Sequence, residues 1–112
     1  MKRENIYQLH AEICKTLSNA NRLQIIEQLG LGEASASQLL GILKINKVTL
    51  SQSMNLLTRL GIAISQRRGK NVVYQLADKR IMKAFGLMRE VLISRLTKQN
   101  QLLKKMSGGT KS

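Results

Sequence analysis

Apolar residues recur at helical spacing along most of the chain. Ile6, Leu9, Ile13 and Leu17 follow one another at intervals of three and four, which predicts a first helix over Arg3 to Leu17. Ser18-Asn19 interrupts it and offers a cap for a second helix, Ala20 to Leu29. The buried side of that helix is expected to be Leu23, Ile26 and Leu29, with Ile25 beside them, and Gly30-Leu31-Gly32 ends it. Ser35 and Gln38 have the spacing of a capping box, in which each side chain satisfies the other's free backbone N–H. They open a short helix, Ala36 to Leu43, with Leu39, Leu40 and Leu43 inward. Gly41 in its interior costs roughly 1 kcal/mol relative to alanine. The expected reason is the close approach of another helix.

After a turn at Lys44-Ile45 the pattern resumes with Leu50, Met54, Leu57 and Leu60, again at spacings of four and three. This predicts an amphipathic helix with Asn46 as its N-cap and Gly61 just past its end. Lys47, Thr49, Gln52, Ser53, Asn55 and Arg59 lie off the apolar line and are expected to face outward. All can hydrogen-bond, and none is acidic. The period then changes to two: Ile62, Ile64 and Gln66 alternate with Ala63 and Ser65, and Val72, Val73 and Tyr74 are strand formers by type. Between these runs sits Arg67-Arg68-Gly69-Lys70-Asn71, which reads as a turn with three positive charges at its tip. A helix with a polar outer face followed by a hairpin with a basic tip is the layout of a winged helix-turn-helix. One element would enter the major groove and the other would grip the backbone or the minor groove beside it. The expected fold is mainly α with a small β-hairpin.

A last helix is expected from near Lys79, capped by Asp78, to as far as Lys105. Its apolar positions are Ile81, Phe85, Met88, Leu92, Leu96, Leu102 or Leu103, and Met106, with Ala84, Leu87 and Val91 along one edge. A single small domain cannot bury so long a stripe against itself, so a partner helix across a twofold axis is the natural use. The organisation expected is one winged-helix domain over residues 1–106 with dimerisation helices at both ends. A loose polar tail over residues 107–112 follows.

Charge narrows the partner. The net charge is +13 on 112 residues, which points to a polyanion. Up to Leu43 acids and bases balance, whereas residues 44–80 hold eight basic residues against Asp78 alone. The excess therefore begins where the polar-faced helix begins. Aromatic residues are 3% of the chain, so the core must be built from Leu, Ile, Val and Met. An enzyme finds little support: there is one His, one Cys, few carboxylates and no phosphate-binding loop, and Gly30-Leu31-Gly32 lacks the strand and third glycine of a dinucleotide site. Cys14 alone excludes an intrachain disulfide and fits a reducing cytosol. No secretory leader and no apolar run of membrane-spanning length is visible, so a cytoplasmic location away from membranes is expected. His10 and Cys14 lie one helical turn apart and, doubled in a dimer, have the donors for zinc. The reading preferred is a surface histidine and a cysteine that serves as a small apolar core residue, with no metal and no cofactor. Thiol oxidation at Cys14 ranks slightly above metal binding, since one thiol per chain can bridge a dimer.

The order helix, helix, helix-turn-helix, hairpin, long helix resembles the ArsR/SmtB family of small dimeric bacterial repressors. Leu17-Ser18-Asn19-Ala20-Asn21-Arg22-Leu23-Gln24-Ile25-Ile26 is similar to the family's opening L-x-D-P-T-R-L-x-I-L, and Leu50-Ser51-Gln52-Ser53-Met54-Asn55-Leu56-Leu57 to its V-S-x-H-L-x-x-L. Leu60-Gly61-Ile62-Ala63 is similar to A-G-L-V, and Arg68 to Leu76 to the wing R-x-G-R-x-x-Y-Y-x-L. The match covers about Ile13 to Leu92. The departures fall on the family's metal sites. The first helix of the helix-turn-helix has no thiol in Glu33 to Leu39, and the last helix has no histidine. Soft and borderline metals need such ligands, so neither family site can form. Ser53 stands where the family usually has histidine, so base preference does not carry over. The resemblance implies a dimeric DNA-binding transcriptional regulator, a repressor on a palindromic operator of double-stranded DNA. The bases would be read by Lys47, Thr49, Ser51, Gln52 and Ser53, and phosphates held by Arg67, Arg68 and Lys70. Two alternatives stand beside it: a basic protein that coats nucleic acid without sequence choice, and a dimeric protein-interaction module.

Overall fold

A computed structural model describes residues 3–108. The elements are α1 (Arg3–Leu17), α2 (Ala20–Gly30), β1 (Ala34–Ser35), α3 (Ala36–Leu43), α4 (Lys47–Arg59), β2 (Ala63–Arg68), β3 (Asn71–Leu76) and α5 (Arg80–Gly108). Contacts divide the chain into two units, Met1–Lys79 and Arg80–Ser112.

In the first unit the helices begin and end where the side chains allow. Asn19 caps α2, its side chain accepting the Arg22 N–H at 3.2 Å, and Ser35 and Gln38 form the expected reciprocal capping box on α3. Arg22 also reaches back to α1, its Nε donating to the Thr16 carbonyl at 2.5 Å. The turn between α3 and α4 passes through Lys44 in the left-handed region, φ 55°. The core is aliphatic, as the lack of aromatics requires: Ile25, Ile26, Leu29, Leu39, Leu50, Met54, Leu57 and Ile62 are buried. These come from α2, α3, α4 and the start of the hairpin. α2 packs on α1, α3 and β3, and α3 in turn packs on α4. Leu23, expected in the α2 core face, is 38% exposed; the buried stripe is instead Ile25, Ile26 and Leu29.

Three strands form one antiparallel sheet in the order β1-β3-β2. The hairpin pairs Ala63 with Leu76 and Arg68 with Asn71. β1 adds Ala34 opposite Tyr74 and Ser35 opposite Val73, a third strand beyond the expected hairpin.

Gly41 corrects another expectation. A Cβ built there meets nothing within 4 Å, so no neighbouring helix requires the glycine. Its backbone entropy is then an uncompensated weakness. Gly41→Ala should stabilise the protein by about 1 kcal/mol, read as a higher denaturant midpoint at unchanged slope. A lower midpoint would show that the site needs glycine after all.

The second unit is α5. Its 29 residues make a rod about 43 Å long at 1.5 Å per residue. From Gly86 to Met106 every residue is exposed, the apolar ones included: Met88 59%, Leu92 53%, Leu96 60%, Met106 72%. Ile6, Tyr7 and Leu9 of α1 are exposed too. Of the tail expected to be loose, Ser107 and Gly108 belong to α5, and residues 109–112 lie outside the described residues. No helix among the described residues is long and apolar enough to cross a membrane.

Candidate nucleic-acid interface

The site is assembled around α4, which is pinned at both ends. Asn46 Oδ1 accepts the Thr49 N–H at 2.7 Å, the expected N-cap. At the other end Ile62 N–H donates to the Leu57 carbonyl at 2.9 Å and Gly61 N–H to Thr58 at 3.1 Å. Those two bonds are the pair that closes a Schellman motif, with Gly61 at φ 77° where a Cβ would be strained. The buried Ile62 anchors the motif and starts the wing directly from the helix end.

Leu50, Ser53, Met54 and Leu57 are the buried residues of α4. Ser53 was expected to face outward because it is polar, yet it is only 4% exposed. It lies three residues after Leu50 and four before Leu57, so helical spacing puts it on the inward face. It cannot reach a base edge from there. Thr49 is half-buried. The exposed residues of α4 are Lys47, Val48, Ser51, Gln52, Asn55 and Arg59, a stripe that repeats at four-residue intervals. It carries two cations, two amides, a hydroxyl and no acid. Val48, its one apolar member, is 64% exposed.

The wing is tighter than expected. Arg67 and Arg68 belong to β2, and the turn is only Gly69-Lys70, with Gly69 at φ 64° in the first central position. Primed two-residue hairpins favour glycine there, because they match the twist of the flanking strands. As neighbours on a strand, Arg67 and Arg68 point to opposite faces. Arg68 Nη1 pairs with Glu33 Oε2 at 2.7 Å, and its Nη2 donates to Gln66 Oε1 at 3.1 Å. Arg68 is therefore already engaged, which qualifies its expected role as a free phosphate ligand. The pair is about half exposed on both sides, and such pairs are worth about 0–1 kcal/mol. A phosphate can compete for Arg68, but must displace Glu33. Arg67 and Lys70 are exposed and have no ion pair among the described residues. At the centre of the sheet Tyr74 pairs with both Ala34 and Ser65, and burial pushes its phenol pKa above the usual value.

His10 is exposed on α1 as expected, but Cys14, expected in the core, is exposed as well. Among the described residues no three His, Cys, Asp or Glu side chains are grouped so as to hold a metal ion.

Comparison with known proteins gives this geometry a context. No protein-family model matches the chain. Rv0081 of Mycobacterium tuberculosis, an uncharacterised HTH-type transcriptional regulator, is 30% identical over 110 residues, 97% of this chain and 96% of the relative. Its crystal structure superposes with a TM-score of 0.78, covering 84% of this chain and 95% of that one. The solution structure of a homodimeric winged helix-turn-helix DNA-binding domain, Mb0332 of Mycobacterium bovis, described as a possible ArsR-family regulator, is 26% identical. It matches with a TM-score of 0.77 over 84% of this chain and 87% of that one. A homologue of the cadmium resistance regulatory protein CadC from Staphylococcus aureus is 36% identical over 86 residues, 72% of this chain and 71% of the relative.

Proposed function

The chain belongs to the ArsR/SmtB family of winged helix-turn-helix transcriptional regulators, and from that premise we propose how it binds DNA and what does not control it. The protein is a sequence-specific DNA-binding regulator. In our reading it is a repressor that grips a palindromic operator as a homodimer, in the cytoplasm and without catalysis. The observation that carries this is the exposed, acid-free stripe of α4, Lys47, Ser51, Gln52, Asn55 and Arg59, held between two fixed helix ends beside a basic wing. The stripe reads base edges in the major groove, with Thr49 at its margin. Arg67 and Lys70 hold phosphates, and Arg68 joins them after releasing Glu33. The apolar residues of α1 and those of α5 are the proposed dimerisation surfaces, and residues 1–106 the proposed winged-helix domain.

Anisotropy titrations against salt test this reading, using a DNA duplex selected by the protein and a scrambled duplex of equal length. The selected duplex should bind at least about 10³-fold tighter. Equal affinity for both would leave only the coating reading. In the same titrations Arg67→Ala and Lys70→Ala should each lower the salt slope by about one unit on both duplexes. Arg68→Ala should lower it by less, because Glu33 already neutralises it in the free protein. A full unit from Arg68→Ala would show that the ion pair is irrelevant to binding.

The signal, in this proposal, is not a metal. The chain has one cysteine and one histidine, and both are exposed on α1 rather than placed at a family metal site. A ligand shifts DNA affinity only by binding the free and bound forms differently. Zinc, cadmium or arsenite at one equivalent per chain should therefore leave a gel-shifted complex intact. Release that disappears in Cys14→Ser would assign the His10–Cys14 pair a sensing role instead.

A further inference from the structure

Val48 is the one exposed residue of α4 that neither folding nor phosphate binding explains. It is 64% exposed, one residue into the helix, between Lys47 and the Ser51–Gln52 pair one turn on. It adds nothing to the core, where Leu50, Met54 and Leu57 do the packing. A β-branched residue on a solvent face is also a poor helix former, so local propensity does not favour it either. Every other exposed side chain of α4 can hydrogen-bond. Val48 can offer only methyl groups.

The major groove has one apolar feature, the C5-methyl of thymine. We propose that Val48 is a specificity residue that selects thymine by packing its methyl groups on that C5-methyl. This rests on the reading of α4 as the base-contacting helix. Gln52 lies one turn further on the same stripe, about 5–6 Å away between Cβ atoms. An amide there can hydrogen-bond adenine N6 and N7 in a bidentate pair. Stacked base pairs are 3.4 Å apart along a strand. The two side chains therefore address base pairs one or two steps apart, and both favour A·T pairs. One end of each half-site should be A·T-rich, with a thymine whose methyl group matters.

Deoxyuridine in place of thymidine removes that methyl and keeps every hydrogen-bonding group, which makes it the probe. The DNA is the duplex the full-length protein selects, with single thymidines replaced in turn. A replacement in one half-site should weaken wild-type binding about fourfold, the worth of one buried methyl-sized group. Both half-sites together should weaken it about fifteenfold. Val48→Ser should lose the same factor on the thymidine duplex and be insensitive to deoxyuridine at that position. Val48→Thr, which keeps one methyl, should fall between. Val48 is exposed, so both variants should melt like the wild type, and the coupling between the two changes isolates the contact. Equal deoxyuridine sensitivity in wild type and Val48→Ser would overturn the assignment, as would no sensitivity at any thymidine in the wild type. A strong preference for the selected duplex would persist in either case, so the base-reading role of α4 would survive. If the wild type prefers no duplex at all, that role falls and this inference falls with it.

Discussion

Leu92→Glu should turn the protein into a monomer. Leu92 is 53% exposed in the single chain, in the middle of an apolar stripe that includes Met88 and Leu96. Nothing else in α5 offers a use for so many bare apolar side chains, and patches of this kind mark interaction surfaces. A twofold seam is self-complementary, so each substitution strikes it twice. An uncompensated buried charge costs about 3–5 kcal/mol, and two of them exceed what a small dimer interface can absorb. Met88→Glu should act in the same way. In sedimentation at micromolar concentration the wild type should run as a dimer and both variants as monomers. DNA affinity should fall with them, since one half-site lacks the second set of contacts. A wild type that is already monomeric at that concentration would remove the twofold architecture from the account.

The other large effect is expected at Gln52. It is exposed at the middle of the α4 stripe, and its amide can make paired hydrogen bonds to adenine. Gln52→Ala should lose about 1–3 kcal/mol per half-site at the adenine it reads, and a symmetric dimer loses this twice. The loss should be specific: on duplexes where that adenine is already replaced, the variant and the wild type should bind alike. Binding measured over a panel of single-position variants of the selected duplex checks this. A uniform loss on every duplex would mean that Gln52 holds backbone rather than base.

Much of this was legible in the sequence, for definite reasons. Helices announce themselves through spacing and caps, and Asn46, Gly61 and the Ser35–Gln38 box sit where local chemistry demands. What was not legible depends on partners distant in the chain. β1 is two residues long, too short to show alternation, and exists only because β3 pairs with it some forty residues later. Glu33 finds Arg68 only in the folded molecule, and so removes a free cation from a wing that reads as triply charged. One misplacement has another cause. Ser53 looks outward by residue type, although its spacing from Leu50 and Leu57 places it inward. Val48, for which neither face was expected, falls by its spacing in the exposed stripe with Lys47, Ser51 and Gln52. In both cases periodicity decides position, and polarity misleads where a helix carries a binding face.

In the proposed complex two copies of α4 read one twofold site. Recovering the genomic DNA fragments that the purified wild-type protein retains at physiological salt tests this most directly. A single enriched motif with twofold symmetry is expected, its half-site centres about 10 base pairs or a multiple apart, A·T-rich where Val48 and Gln52 lie. Fragments with no shared motif, retained in proportion to length and lost uniformly as salt rises, would contradict it.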